Sequence, residues 1–440
     1  MNKKERLDLA NWAVNQAKKS GADQAAIDVS YNRNVEVGFR EGKIEQLKES
    51  DQNSLSLSVY ANRRYSSHRT NDMRKDSLSK FVQEAVAMTK YLNEDPFRLL
   101  PDPKYYEGGK KTNLELNDPA YEKVESTKRV EIAQKIEGAA RAQSDKIISC
   151  TSGYSDNYYE SAKVNSNGFE GEEYGTFFSA GAEVTVNDQR GRRPEDWEWA
   201  TARFYKDLPS PEGLGKKASQ RALAKIGQSK LESGSYDMIL ENRVGGRFLY
   251  SFFGPMSGRS LQQKSSFLDG KLGQRIGSDK LTLIDDPFIV SGMGSRLFDD
   301  EGMATKRRVM IDKGILKAFY IDSYYGRKLG MDPTSGSASN VVFDYGTESL
   351  DKLIEGTKRG ILVNTFIGGN SNSTTGDFSY GIIGMYIQDG KVIKPVNEMN
   401  VSGNLAELLN QLVEVGNDPY IYSSLRTPTL CFKDVQFSGI

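Results

Sequence analysis

A block of small and polar residues near the C-terminal end of the chain has the composition of a binding loop. Residues 368–377 read GGNSNSTTGD and lead into alternating apolar segments that run to Asn404. Glycines leave backbone N–H groups accessible, and short hydroxyl and amide side chains lie beside them. Such a loop suits the binding of a peptide backbone, a carboxylate or a phosphate. The same residue types dominate ordinary turns for local reasons, so a long turn between two strands is the alternative.

A second group of candidate chemical groups is a run of carboxylates. Asp299, Asp300 and Glu301 stand in a row before Gly302, and a pair of aspartates at 285–286 lies a short way upstream. Paired carboxylates can hydrolyse glycosidic bonds or hold a hard cation through their oxygens. Adjacent residues of a strand point to opposite faces, and acidic turns are common on protein surfaces, so a surface turn is the alternative.

The few histidines and cysteines restrict the chemistry further. His68 is the one histidine, so neither a histidine-based zinc site nor a Ser-His-Asp triad is supported, and we interpret it as a surface or hydrogen-bonded residue. Cys150 and Cys431 are too few for a disulfide framework, which suits a reducing compartment. The small-residue segment 330–340 lacks the Gly-Lys-Ser/Thr ending of a phosphate-binding loop, so nucleotide binding has no support.

The composition predicts a cytoplasmic protein of two or three domains. The 440 residues include 59 basic and 59 acidic side chains, so no overall field attracts nucleic acid or an anionic membrane. The N-terminal segment is charged throughout and lacks the apolar core of a signal peptide. No stretch approaches the roughly 20 apolar residues of a membrane-spanning helix.

Periodicity predicts an α+β fold whose N-terminal part is built from helices and strand meanders. Helical spacing marks 3–20, 76–94, 126–143 and 211–229. Alternating apolar residues mark strands at 26–36, 43–64, 179–186 and 197–204. A helix followed by a meander therefore occurs twice, and Val29-Ser30-Tyr31 has a loose counterpart in Ser152-Gly153-Tyr154. This pattern indicates an internal duplication.

The remainder of the chain is predicted to be mainly β, because turn-forming residues recur at short intervals and long helical periodicity is absent. Short strands are expected at 238–240, 282–284, 308–311, 315–321, 361–364 and 382–388. Two helices are expected among them, at 245–253 and 405–415. We therefore divide the chain into an N-terminal α+β region, a second α+β region and a mainly β C-terminal domain, at 1–103, 104–230 and 231–440.

Several ordered motifs together resemble the TldD/PmbA family, also called TldE, whose members were once described as modulators of DNA gyrase. The resemblance runs over essentially the whole chain. Its motifs are Arg40-Glu41-Gly42-Lys43, Phe298-Asp299-Asp300-Glu301-Gly302, Arg327-Lys328-Leu329-Gly330, Thr375-Gly376-Asp377-Phe378 and Ser402-Gly403-Asn404. It implies an N-terminal α+β region, a C-terminal domain of curved sheets, and a cytoplasmic heteromeric metallopeptidase that acts in peptide-antibiotic maturation and on small unfolded proteins.

The chain departs from the TldD type of this family at the metal motif. In that type, a helix early in the last domain carries His-Glu-x-x-x-His, and a cysteine in a Cys-Gly-Lys context near the C-terminus is a further ligand. Here Tyr250 and Pro255 stand at the histidine positions and Ser251 at the glutamate. Protonated tyrosine is a poor zinc ligand, and proline has no side-chain donor. The Cys-Gly-Lys segment is missing, and Cys431 is predicted to pack in an apolar strand.

The resemblance therefore implies a PmbA/TldE-type subunit with no catalytic residue, metal ligand or cofactor of its own. Its expected partner is a TldD-type chain that carries the metal, and its expected ligands are extended peptides. Alone, it is expected to be able to form a homodimer; direct nucleic-acid binding and membrane association are not expected. The surface that faces the substrate or the partner is predicted at Gly369, Asn370, Ser371, Thr374, Thr375, Gly376, Asp377 and Phe378.

Two alternatives stay open. The chain could be an independent carboxylate-based hydrolase that uses Asp299, Asp300 or Glu301. It could instead be a homo-oligomeric binding module that acts on gyrase or DNA, although the balanced charge counts against direct DNA binding.

Overall fold

Two units with the same order of elements build the N-terminal half of the computed structural model, which describes residues 1–110, 112–189 and 191–440. The first unit contains α1 (Lys3–Lys19), β1 (Gln24–Arg40), β2 (Lys43–Ala61), β3 (Arg64–Thr70) and α2 (Lys75–Thr89). The second contains α3 (Ser126–Arg141), β4 (Ile147–Asn165), β5 (Phe169–Val186), β6 (Glu195–Ala202) and α4 (Pro211–Ala224). Because both units have the same order of elements, the fold agrees with the predicted internal duplication.

The strands of both units form one antiparallel sheet in the order β3-β2-β1-β4-β5-β6. The first strands of the two units, β1 and β4, pair at its centre. Alternate residues such as Ile27, Val29 and Leu57 are buried under the helices on one face, as the sequence pattern predicts. Strand β1 extends to Arg40, beyond its predicted end at 36, because Val37 and Phe39 continue the same alternation. The opposite face of the sheet is polar and lies against the C-terminal domain.

The C-terminal domain consists of curved sheets with short helices, which confirms the predicted mainly β character. Its helices are α5 (Asn242–Phe253), α6 (Gly258–Gln262), α7 (Ser323–Leu329), α8 (Leu350–Glu355) and α9 (Leu405–Asn410). Its strands are β7 (Gly234–Leu240), β8 (Leu283–Asp285), β9 (Arg308–Asp312), β10 (Ile315–Leu316), β11 (Val341–Phe343), β12 (Arg359–Ser371), β13 (Asp377–Gln388), β14 (Lys391–Asn404), β15 (Leu412–Val415), β16 (Leu425–Arg426) and β17 (Leu430–Ser438).

The larger of the two C-terminal sheets curves until it meets itself. Its order is β14-β13-β12-β7-β17-β15, and β14 also pairs with β17 at Asn400 and Val401. A smaller sheet has the order β10-β9-β8-β11-β16. The apolar core lies inside the curve, where one face of α5 packs with the strands. Among the described residues, no helix is long and apolar enough to cross a membrane.

Two predicted elements of this domain are wrong in part. The helix expected over 405–415 ends at Asn410, and Leu412 pairs with Phe432 of β17 instead. The leucines of this segment fit a helical period and a strand period equally well. Pairing with β17 therefore decides that the segment after Asn410 forms a strand. The strand expected over 315–321 stops at Leu316, because the backbone of Tyr320 bonds to Met256 and Gly258 rather than to a neighbouring strand.

A cluster of buried charges joins the N-terminal sheet to the C-terminal domain. The Asp196 carboxylate, on β6, lies 3.0 Å from the Lys225 ammonium and 2.7 Å from the Arg243 guanidinium of α5. All three side chains are at most 2% exposed. Burial would raise the pKa of Asp196, but Arg243 and Lys225 outweigh it and hold that pKa below its ordinary value. Lys225 also donates to the Thr365 hydroxyl of β12, so the cluster fixes four elements together.

Replacing this carboxylate should destabilise the whole chain. In Asp196→Asn, Lys225 loses its counter-charge while it remains buried and Arg243 keeps only Glu241, at 3.3 Å, so we expect a loss of about 3–5 kcal/mol in the free energy of unfolding. Urea denaturation measures this loss. The matched control is Asp312→Asn, since Asp312 is 49% exposed and lies 3.9 Å from Lys317, and it should cost at most about 1 kcal/mol. Equal effects of the two substitutions would contradict a structural role of the cluster.

Candidate functional site

Helix α5 lies alongside the hairpin that β12 and β13 form. One face of α5 is apolar, and Val244, Phe248 and Phe252 bury it in the core. From the exposed face, the Arg247 guanidinium donates to the carbonyls of Phe366, at 3.0 Å, and Gly368, at 2.8 Å. These are carbonyls on the edge of β12 that β7 leaves uncovered, because β7 pairs with β12 only at 360–363. Arg247 therefore holds the helix against the half of β12 that leads to the hairpin tip.

The three positions of the family metal motif fall at the end of this helix. Tyr250 is 68% exposed. The Ser251 hydroxyl is buried and lies 2.7 Å from the Tyr380 hydroxyl of β13. Pro255 follows the helix, and its carbonyl accepts a hydrogen bond from the Ser266 hydroxyl. A proline without a side-chain donor atom, a serine engaged elsewhere and one phenol do not fit a zinc ion.

Cys431 cannot complete such a site. Its neighbour Phe432 packs against Phe248 of α5, so Cys431 projects from the opposite face of β17. There it packs with Ile239 and Leu362, and burial raises the pKa of its thiol to about 12. The predicted packing role is confirmed. Within residues 1–110, 112–189 and 191–440, no three His, Cys, Asp or Glu side chains are grouped so as to hold a metal ion.

The small-residue block is the end of a β-hairpin rather than an open loop. β12 continues to Ser371 and β13 begins at Asp377, so the alternative of a turn between two strands is correct and half of the block is strand. A bulge interrupts the pairing between Ile367 and Asn370. Its Gly369 has φ +86°, and a Cβ atom there would lie 2.3 Å from the Ser379 carbonyl oxygen. Only glycine fits this position.

The hairpin tip uses its own backbone donors. Asn372 accepts from the N–H of Gly376 through its carbonyl and from the N–H of Thr374 through its side chain. Hydrogen bonds from Thr375 and then from Asn404 hold the pKa of Asp377 below its ordinary value. The predicted set of free N–H groups for an anion is therefore wrong. The tip instead presents side chains on a backbone that its own hydrogen bonds hold.

The predicted surface residues of this block divide into two groups. Gly369, Asn370, Thr374, Thr375 and Asp377 are exposed, and Ser371 is partly so. Gly376 and Phe378 are buried. Phe378 stacks on Tyr380 in the core, with 5.9 Å between ring centroids, because strand alternation turns it inward. The prediction that Gly376 and Phe378 face a ligand is corrected on this ground.

The structure brings the metal-motif positions and the hairpin tip together. A Cβ atom on Gly254 would lie 2.9 Å from the Ser373 hydroxyl, and the Ser373 carbonyl accepts from the N–H of Phe267. Two side chains that hold this arrangement, Arg247 and Tyr380, were not predicted from the sequence. Arg247 precedes Tyr250 by three residues, so the helical period could have placed both on one face. No pattern in the neighbouring residues indicated a role for Tyr380.

The acidic run at 299–301 builds a turn between the domains. One Asp299 oxygen accepts the N–H groups of Glu301 and Met303, each at 3.0 Å. The Glu301 carboxylate accepts from the N–H and the hydroxyl of Ser323, the first residue of α7. Burial raises the pKa of Glu301 to about 7, although the bonds from Ser323 oppose the shift. These oxygens are occupied by structural donors.

The same turn holds the N-terminal sheet. Lys163 and Asn165 of β4 donate to the carbonyls of Asp300 and Glu301. The Phe298 ring lies 5.0 Å from the ring of Phe169, measured between centroids. The acidic run is therefore a turn, as the alternative predicts, but it lies at a contact between domains with Asp299 buried rather than on an open surface. The geometry lends the carboxylate-hydrolase alternative no support.

His68 and the upstream aspartates also have structural partners. The His68 ring lies 2.7 Å from the Ser66 hydroxyl, which confirms a hydrogen-bonded histidine. Asp285 accepts from the N–H and the hydroxyl of Ser339. Neither residue takes part in the arrangement around α5.

Three family models match the chain in order. They are the PmbA/TldA metallopeptidase domain 1 at residues 25–89, the central domain at 119–226 and the C-terminal domain at 233–439. The metalloprotease PmbA of Escherichia coli O157:H7 is 29% identical over 422 residues, which cover 95% of this chain and 93% of that one.

Solved structures share the whole fold. A crystal structure from Bacteroides thetaiotaomicron, of a protein named as a proposed modulator of DNA gyrase, is 40% identical. It covers 100% of both chains with a TM-score of 0.97. TldE from Thermococcus kodakarensis, at 23% identity, shares the fold with a TM-score of 0.86 over 98% of this chain and 99% of that chain.

Removing the Arg247 side chain should loosen the hairpin without unfolding the domain. In Arg247→Ala the carbonyls of Phe366 and Gly368 lose charged donors, so amide hydrogen exchange over 364–380 should become faster. Exchange in the N-terminal sheet should not change. Tyr250→Ala, on the same exposed helix face, is the control and should leave hairpin exchange unaltered. Hydrogen exchange with mass spectrometry measures both, and equal protection in the two variants would refute this role of Arg247.

Glu301→Gln should alter how stability depends on pH. Because the folded-state pKa lies near 7 and the ordinary value is 4.5, the folded state binds more protons than the unfolded state between these values. This contribution to stability is therefore full below pH 4.5 and is lost as the pH rises through 7. The variant has no carboxyl group that ionises at this position. The melting temperature of the variant minus that of the wild type should therefore increase from pH 5 to pH 8. Glu355→Gln, at an exposed helix position, should show no such trend, and a parallel response of wild type and Glu301→Gln would contradict the assignment.

Proposed function

The chain belongs to the PmbA/TldD metallopeptidase family, and within it we propose that this protein is the metal-free subunit of a peptidase complex. The donor set along α5 carries the proposal. Tyr250, Ser251 and Pro255 occupy the motif positions without offering a metal-binding group, yet the helix that holds them is kept in place. A TldD-type partner would supply the metal and its ligands. This chain would form part of the wall of the substrate channel.

The part of this chain that would face the peptide is the hairpin tip. Along β12, Arg247 occupies the carbonyls that an added strand would need at Phe366 and Gly368. Beyond them, Asn370 and Thr374 are exposed and rest on a tip stabilised by its own hydrogen bonds. Extended peptides present regularly spaced backbone groups, which such short polar side chains can bind with little regard to sequence. The tip would thus form one wall of a substrate channel that the partner completes.

Location and assembly are parts of the same proposal. Cysteine usage favours a reducing compartment, so we place the complex in the cytoplasm. In the absence of the partner, the surface that it covers would be available for a second copy of this chain, which supports a homodimer. The gyrase alternative rests on the names of related proteins, and the balanced charge gives direct DNA binding no support.

Metal analysis of the isolated chain tests the central point. We expect zinc well below one ion per chain and no peptidase activity, because the α5 donor set is unsuitable. Mixing with the TldD-type chain from the same cell should yield a stable complex with activity, as measured by size-exclusion chromatography and cleavage of an unfolded peptide. One tightly bound zinc ion with activity in the isolated chain would overturn the proposal.

Charges placed at the hairpin tip should impair the complex. Asn370→Lys combined with Thr374→Lys puts two cations where the partner or peptide would cover them, and we expect complex activity to fall about tenfold or more. Gln388→Lys, at the opposite end of β13, is the control and should retain activity. Melting temperatures should confirm that both proteins are folded. Full activity of the tip variant would exclude the tip from the working surface.

A further inference from the structure

One strand edge of the N-terminal sheet is uncovered over a short length. On β5, strand β6 pairs with residues 178–185, and the N–H of Thr176 donates to the Leu116 carbonyl of the preceding linker. In an antiparallel strand every second residue directs its N–H and C=O to the same side, so those of Tyr174 and Glu172 also point outward. Among the described residues, none bonds to these outward groups.

Cavities lie on both sides of this edge. One, of about 490 Å³, is on the polar face of the sheet, between the linker and the segment 295–298 of the C-terminal domain. Another, of about 290 Å³, is on the helix-covered face beside the start of α1. Residues Asn117, Glu172, Glu173 and Tyr174 line both cavities. A strand could therefore approach the edge with room for side chains above and below it.

The Glu173 carboxylate in the larger cavity has no counter-charge in contact. No described residue forms a hydrogen bond or an ion pair with it, whereas its neighbour Glu172 lies 3.1 Å from the Lys3 ammonium. Burial raises the pKa of Glu173, and the more distant charges of Lys163 and Arg296 only partly oppose the shift. Glu173 is half-buried, and a carboxylate in such a place beside an open volume can pair with a cation that brings its own hydrogen-bond donors.

We propose that the edge of β5 at residues 172–174 binds an extended peptide segment as an added strand, with a lysine or arginine of that segment paired to Glu173. The linker shows that the edge accepts an extended chain, because Leu116 already occupies the next position along it. Side chains of the added strand would alternate between the two cavities, so the residue beside Glu173 would enter the larger one. This site is separate from the hairpin tip and requires no partner subunit.

Fluorescence anisotropy on the isolated full-length chain tests the site. The probe is a labelled peptide, Ser-Thr-Val-Lys-Val-Thr-Ser, and we expect saturable binding. Glu173→Gln should lower the affinity for the probe about tenfold, because the variant loses one charged hydrogen-bonded contact. Glu170→Gln, an exposed position on the same strand, is the matched control and should bind like the wild type.

Two further probes separate backbone pairing from charge attraction. The same peptide with both valine amides methylated cannot pair as a strand and should not bind, although its charge is unchanged. A peptide with glutamate in place of lysine should bind more weakly than the lysine probe. Any of three results would overturn the proposal. The wild type could fail to bind the probe, Glu173→Gln and Glu170→Gln could bind it equally, or the methylated probe could bind as well as the unmodified one. None of these results depends on the metal content or on the partner.

Discussion

The buried pairing of Asp196 with Lys225 and Arg243 is the constraint on which the arrangement of this protein depends. Two buried cations are costly unless an anion lies in contact, and Asp196 is the carboxylate that both of them share. The three side chains come from β6, from the end of α4 and from the first turn of α5. Their meeting therefore sets the direction of α5 relative to the N-terminal sheet, and with it the position of the site that α5 carries.

Polar side chains along α5 are engaged in holding the fold. Arg247 and Ser251 are used to hold the hairpin of β12 and β13 against the helix. The acidic turn at 299–301 has a comparable role between domains, because its carboxylates bond to their own turn and to α7 while its carbonyls hold β4. In both places polar groups that could perform chemistry stabilise the shape of a surface instead.

The repeated N-terminal units differ in how their strand edges are covered. In the first unit, residues 43–52 of β2 are exposed on both faces, and charged side chains and a bulge protect the edge. In the second unit, the linker and the C-terminal domain lie over part of β5 and leave cavities beside the uncovered residues. The linker segment 112–119 and the segment 295–298 line the larger of these cavities, so the two units differ in what lies beside their strand edges.

The sequence by itself determined the helices of the N-terminal half, the alternation of its strands, the helix at α5 and the absence of metal donors there, since each depends on residues close together in the chain. It could not place Phe378 in the core, assign Leu412 to a strand or reveal the bonds of Glu301. Those outcomes depend on contacts between distant segments. Asp196, Lys225 and Arg243 show the reason most clearly: each is an ordinary surface residue by type, and only the tertiary structure, by burying all three together, makes their charges necessary to one another.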